Sequence, residues 1–142
     1  MNTLEYPDAE GSVRAWARAH TGLQAKFGNP ARIYFGAPDG EPAMPLLTLS
    51  RAGGAPVDGD YPIDLPLIGF HVWGKTKAQA ADAAMALVNA INGLRDSTLA
   101  GTDAVLCEGT VTLLVWSPDP DNDRPRYLVD ATLSIRKQST AA

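Results

Sequence analysis

The chain has 142 residues, 45% hydrophobic and 20% charged, a balance that fits one globular domain with its own core and excludes a disordered or fibrous chain. Twelve Lys and Arg against sixteen Asp and Glu leave a formal charge of −4, which argues against a generic nucleic-acid binder. A single cysteine, Cys107, excludes an internal disulfide, and two histidines, His20 and His71, leave little material for a metal centre.

Met1, Asn2, Thr3, Leu4 and Glu5 lack the basic start and apolar centre of a secretory signal. No apolar run approaches the ~20 residues of a membrane span. The expectation is a soluble intracellular domain without enzymatic activity.

The first helix is predicted over residues 8–20, where Ala9, Val13, Trp16, Ala17 and His20 share one face. Asp8 is placed to cap it and Gly22 to end it, with Trp16 as a core anchor. Short strands follow at residues 31–35 and 45–51. Residues 52–66 hold Gly53, Gly54, Pro56, Gly59, Pro62 and Pro66, which predicts a long irregular loop. In the next strand, residues 67–73, Ile68, Phe70 and Val72 alternate with Gly69, His71 and Trp73, so His71 and Trp73 are expected on the wet face.

The second helix is the clearest element. Thr76 and Gln79 have capping-box spacing, and Ala80, Ala83, Ala84, Leu87, Val88, Ile91 and Leu94 keep a 3.6-residue period up to a cap at Gly93. The last third reads as an antiparallel hairpin. In residues 104–116 the expected inner face is Val105, Cys107, Val111, Leu113 and Val115, with Cys107 a buried inert thiol. In residues 126–136 it is Tyr127, Val129, Ala131, Leu133 and Ile135, with Asp130, Thr132, Ser134 and Arg136 outward. The connecting tip, residues 117–125, carries Asp119, Asp121, Asp123 and Arg124, and the tail after Lys137 is expected to fray. The fold class is therefore α+β: an antiparallel sheet with two helices packed on it and a long C-terminal hairpin.

Tests for chemistry come back empty. Asp119, Asp121 and Asp123 imitate the opening of an EF-hand loop, but Arg124 stands where glycine is needed and Asp130 lies in a strand. Ser50 and Ser117 lack a nucleophile-elbow setting, and Gly53-Gly54 is not followed by a phosphate-loop signature. No catalytic, cofactor or metal residue is assigned.

The order of segments carries a resemblance over nearly the whole chain. A helix with Trp16 is followed by the Ala31–Gly36 and Pro45–Arg51 segments and a Gly/Pro-rich stretch. Phe70, Val72, Trp73, Gly74, Lys75 and Thr76 then open an alanine-rich helix, and strands ending at Trp116 and starting at Arg126 complete the chain. This layout resembles the tail terminator (tail completion) proteins of long-tailed phages, in the versions from actinobacterial phages and prophages.

The resemblance implies a virion protein that forms a ring, typically a hexamer, on the head-proximal end of the tail tube. Its implied partners are further copies of itself, the major tail tube protein and the head-completion or connector protein. DNA would pass through the lumen without specific binding, no membrane would be involved, and assembly would take place in the host cytoplasm. The interface candidates are His71 and Trp73 on the strand face, with Asp119, Asp121, Asp123, Arg124 and Arg126 at the hairpin tip. Two other readings are another neck component, such as a head-completion or stopper protein, and a small ligand-binding or hydrolytic α+β domain built around His71 or the tip.

Overall fold

The computed structural model describes residues 6–57, 62–98 and 104–137. The tail after Lys137 and the centre of the Gly/Pro-rich segment, residues 58–61, lie outside the described residues. The first helix, α1 (Ala9–Ala19), starts where Asp8 accepts the Gly11 amide at 3.1 Å and buries Ala9, Val13, Trp16 and Ala17. Gly22 does not end the helical region. His20 interrupts it with an extended backbone, and its Nδ1 accepts the Leu23 amide at 3.3 Å, which caps a further helix, α2 (Thr21–Phe27). Two turns are too short for a legible 3.6-residue pattern, yet Leu23 and Phe27 are fully buried.

The long helix, α3 (Lys77–Asn92), begins at the anticipated capping box. Gln79 N–H donates to Thr76 Oγ1 at 3.1 Å, while the reciprocal bond falls one residue earlier, from Lys75 N–H to Gln79 Oε1 at 2.6 Å. Ala80, Ala83, Ala84, Leu87, Ala90 and Ile91 are buried, and Gly93 caps the end.

The helices cover one face of a six-stranded sheet. Its strands are β1 (Ile33–Tyr34), β2 (Leu46–Val57), β3 (Ile63–Trp73), β4 (Ser97–Thr98), β5 (Ala104–Trp116) and β6 (Arg126–Lys137). Their order is β1-β2-β3-β6-β5-β4, antiparallel except for the β1–β2 pair. The α+β class therefore holds, with three helices among the described residues where two were expected. Leu47, Leu49, Ile68, Phe70, Val72, Val129, Ala131, Leu133 and Ile135 form the sheet's side of the core. The small residues of α3 let it approach closely: a Cβ at Gly109 would come within 2.8 Å of Ile91 Cγ2.

Two expectations are corrected. Most of residues 52–66 is not a loop but the outer half of the β2–β3 hairpin. Ala52 is the extra residue of a bulge between Arg51 and Gly53, and Gly54 takes a φ of 78°, where a side chain would overlap the Leu65 carbonyl. Pro56 sits on the outer strand, and Pro66 falls where β3 makes no pairing to β6, so neither proline interrupts a ladder. An ion pair with a buried carboxylate ties this arm together: the partly exposed Arg51 holds Asp64, 2% exposed, through two bonds of 2.6 and 2.7 Å and also donates to the Gly53 and Gly54 carbonyls.

The second correction concerns β5. Register shifts at Leu106/Glu108 and Val111/Leu113 each insert one residue and flip the alternation. Leu106, Gly109, Val111, Leu114 and Trp116 pair with Ile135, Leu133, Ala131, Val129 and Tyr127 and so take the helix side. Cys107 falls in the first bulge and is only half-buried, while Leu113 and Val115 move to the open face and are exposed.

Candidate functional site

The strand register brings most of the expected interface residues to one end of the sheet. Trp73 lies opposite Leu46 on one side and Arg126 on the other, and His71 lies opposite Thr48 and Leu128. His71 and Trp73 share the face away from the helices, their ring centroids 5.5 Å apart. Arg126 reaches both: its Cζ is 5.9 Å from the Trp73 ring centroid, and its Nη1 is 3.4 Å from His71 Nδ1. Its Nε donates to the Ser117 carbonyl at 2.9 Å, and the Ser117 amide donates to the Arg126 carbonyl at 3.0 Å. Arg126 thus closes the neck of the hairpin tip.

The tip folds back on this end of the sheet. Asp119 Oδ2 accepts the Trp73 indole N–H at 3.3 Å, and Oδ1 accepts the Asp121 amide at 3.0 Å. Asp119 N–H donates to the Arg124 carbonyl, Asp123 N–H to the Asp119 carbonyl, and Arg124 N–H to Asn122 Oδ1. Asp123 completes the turn at a φ of 55°. Arg124 spans outward to the Gly40 carbonyl at 3.5 Å, and the Gly74 amide holds the Pro125 carbonyl at 3.1 Å.

Trp73 is therefore covered, 6% exposed, rather than displayed on an open face, and His71 is half-buried. Five of the seven candidates, His71, Trp73, Asp119, Arg124 and Arg126, belong to this brace or its base. Asp121 and Asp123 stay exposed on the tip, with no ion pair among the described residues.

The electrostatics follow from that packing. The Asp121 amide is the largest influence holding the Asp119 carboxyl below its ordinary range, with the Trp73 indole, Arg126 and Arg124 adding to it against some desolvation. Desolvation, then the Arg126 charge, pushes the His71 imidazole down, opposed by Asp119 and Asp130. Arg126 can only donate, so this contact uses the His71 Nδ1 lone pair and favours the Nε2–H tautomer. His71 serves here as a neutral acceptor inside a brace, and the arrangement is suited to holding a loop rigid for contact.

A second surface has no signature in the sequence. Arg14 and Arg18, one turn apart on α1, both donate to the Ile33 carbonyl on β1, from Nε and Nη2 respectively, at 3.1 Å. Arg14 lies 4.7 Å from the ring centroid of Phe35, which is 47% exposed. The i, i+4 spacing of the arginines was visible; their convergence with Phe35 on a strand edge depends on the β1–β2 pairing. Among the described residues, no group of three His, Cys, Asp or Glu side chains is placed to hold a metal ion, and no helix is long and apolar enough to cross a membrane.

No family model and no curated protein matches the sequence. Among solved structures, this fold is similar to that of a chain described as "Virion of native gene transfer agent (GTA) particle". The TM-score is 0.67 at 19% identity, over 90% of this chain and 98% of that one.

Proposed function

We propose that this protein is a structural component of a phage-like virion, and specifically a tail terminator: a homo-oligomeric ring, six subunits in the simplest form, on the head-proximal end of the tail tube. The observation that carries the reading is the fold shared almost end to end with a chain of a gene transfer agent virion. The layout of Trp16, the Phe70–Thr76 segment and the C-terminal hairpin supports the terminator role within that class. On this reading the ring stops tube growth and offers its other face to the head connector, and the acidic balance of the chain keeps transiting DNA from adhering. The braced tip contributes a preorganised contact, since a loop already held by Asp119 and Arg126 loses little entropy on docking.

The decisive experiment removes the protein from the phage or prophage that encodes it and measures tails by electron microscopy. Overlong tubes with unjoined heads are the expected result, reversed by supplying the protein. Tails of normal length that fail to join heads would assign it to another neck position, and normal particles would overturn the virion role.

A further inference from the structure

Two separate surfaces of the chain carry opposite charge, each beside an exposed apolar group. One row of paired residues, Tyr34, Thr48, His71, Leu128 and Val115, runs from β1 to β5. Tyr34 on β1 and Val115 on β5 therefore stand at the same level, separated by four strand spacings or about 19 Å.

At the β1 end is an open cleft of about 360 Å³ lined by Asp8, Gly11, Arg14, Ala15, Arg18 and Phe35. The one carboxylate that lines it, Asp8, accepts the Gly11 amide, and the nearby Glu10 accepts the Arg51 amide at 3.3 Å. Neither arginine has a carboxylate within ion-pair distance among the described residues, and the buried Nε of Arg18 has no acceptor there. Desolvation and then the neighbouring Arg18 charge hold Arg14 below the usual guanidinium range, so an anion placed between the two is favoured.

The β5–β6 hairpin carries the opposite sign. Asp121 and Asp123 are exposed on a braced tip, and Leu113, Leu114 and Val115 are exposed beside it. Among the described residues the β4 pairing stops at Leu106, so β5 from Glu108 to Trp116 has no strand on its outer side. A ring closed by head-to-tail contacts needs two different, mutually complementary patches on each subunit.

We propose that the Arg14/Arg18/Phe35 cleft of one copy receives the acidic hairpin tip of the next, with Asp121 and Asp123 pairing with the two guanidiniums and Phe35 meeting the exposed apolar end of β5. The occupant is a second copy of this chain because both halves of the contact are present on it, as separate patches of opposite charge. The proposal rests on the ring reading and specifies how the ring closes.

Two charge-reversed proteins test it. In Arg14→Glu/Arg18→Glu every cleft repels every tip, and the same holds for Asp121→Lys/Asp123→Lys. Each alone should assemble at least about tenfold more weakly than the natural chain in sedimentation velocity. Mixed, the two are complementary only in alternation, so assembly should return with an even number of subunits, half of each kind, counted by native mass spectrometry. The four substitutions in one chain should also restore it.

Assembly unaffected by either reversal, or absent from the mixture, overturns the proposal while leaving the ring reading intact. A natural chain that forms no ring, free or on tube ends, overturns the ring reading as well. Should loss of the Ile33 contacts unfold the Arg14/Arg18 variant, the tip alone decides: Asp121→Glu/Asp123→Glu must assemble where the lysine pair does not, and equal loss in both refutes charge pairing.

Discussion

Arg126 engages His71, Trp73 and the Ser117 carbonyl, and the state of each depends on the others. Burial disfavours a charged His71, and protonation would also spend the lone pair facing Arg126 and set a second cation 3.4 Å from it, so its folded pKa lies below the ordinary 6.5. As pH falls, the unfolded chain takes up this proton first. The His71 contribution is thus constant well above about pH 6.5 and becomes destabilising as pH drops through that value toward the lowered folded one. The melting temperature should fall less between pH 7.5 and 5.5 in His71→Gln than in the natural chain, and NMR titration of His71 should give a midpoint under 6.5; a higher midpoint refutes this. Asp119 and its neighbours separate in the same spirit. Asp119→Ala removes the acceptor of the Trp73 indole and the Asp121 amide, so it should lower the melting temperature and alter tryptophan fluorescence. Asp121→Asn and Asp123→Asn should do neither, because their carboxylates are exposed and unpaired among the described residues. The sequence placed these aspartates in one turn; a hydrogen bond joining positions 73 and 119 leaves no local pattern to read.

Elements were legible in proportion to how far a single period governs them. The 3.6-residue repeat of α3 runs unbroken over sixteen residues, and its cap and buried face lie where the sequence puts them. Leu87, fully buried against the sheet, should cost roughly 2–5 kcal/mol on truncation to Ala. A loss under about 1 kcal/mol in denaturant melts would mean that this face is loosely packed. β6 keeps a strict alternation and is legible throughout, whereas its partner β5 changes face twice through single-residue bulges. A period-2 pattern continued through those bulges puts Leu113 and Val115 inside, and the register puts them out. The β2–β3 arm failed for a different reason. Glycine and proline weigh against strands on average, but Pro56 and Pro66 occupy positions that need no ladder donor, and Gly54 supplies the positive φ beside the bulge. The Arg51–Asp64 pair that secures the arm is again a contact between distant positions.

At the scale of the molecule, the two long sheet edges are treated unequally. Along β2 the backbone is guarded: Tyr6 OH donates to the Val57 carbonyl, Glu10 accepts the Arg51 amide, and the Arg51 side chain takes the Gly53 and Gly54 carbonyls. β5 has no comparable cover among the described residues from Glu108 to Trp116, and it carries three consecutive exposed apolar residues, Leu114 at 42%. A protein that works alone blunts such an edge with charge, proline or a covering segment, because it invites strand pairing and aggregation. Leaving it bare is consistent with a subunit whose edge is covered on assembly. Leu113→Ser/Leu114→Ser should then leave the melting temperature of the dilute protein nearly unchanged, since neither side chain is buried, while weakening self-association. The electrostatic share of the contact should show separately: raising salt from about 0.05 to 0.5 M shortens the screening length from roughly 14 Å to 4 Å and should weaken assembly of the natural chain. The serine variant should be weaker than the natural chain at both salt concentrations, because apolar contact is not screened. Self-association indifferent to these serines across that range would show that the β5 edge lies outside the subunit contact.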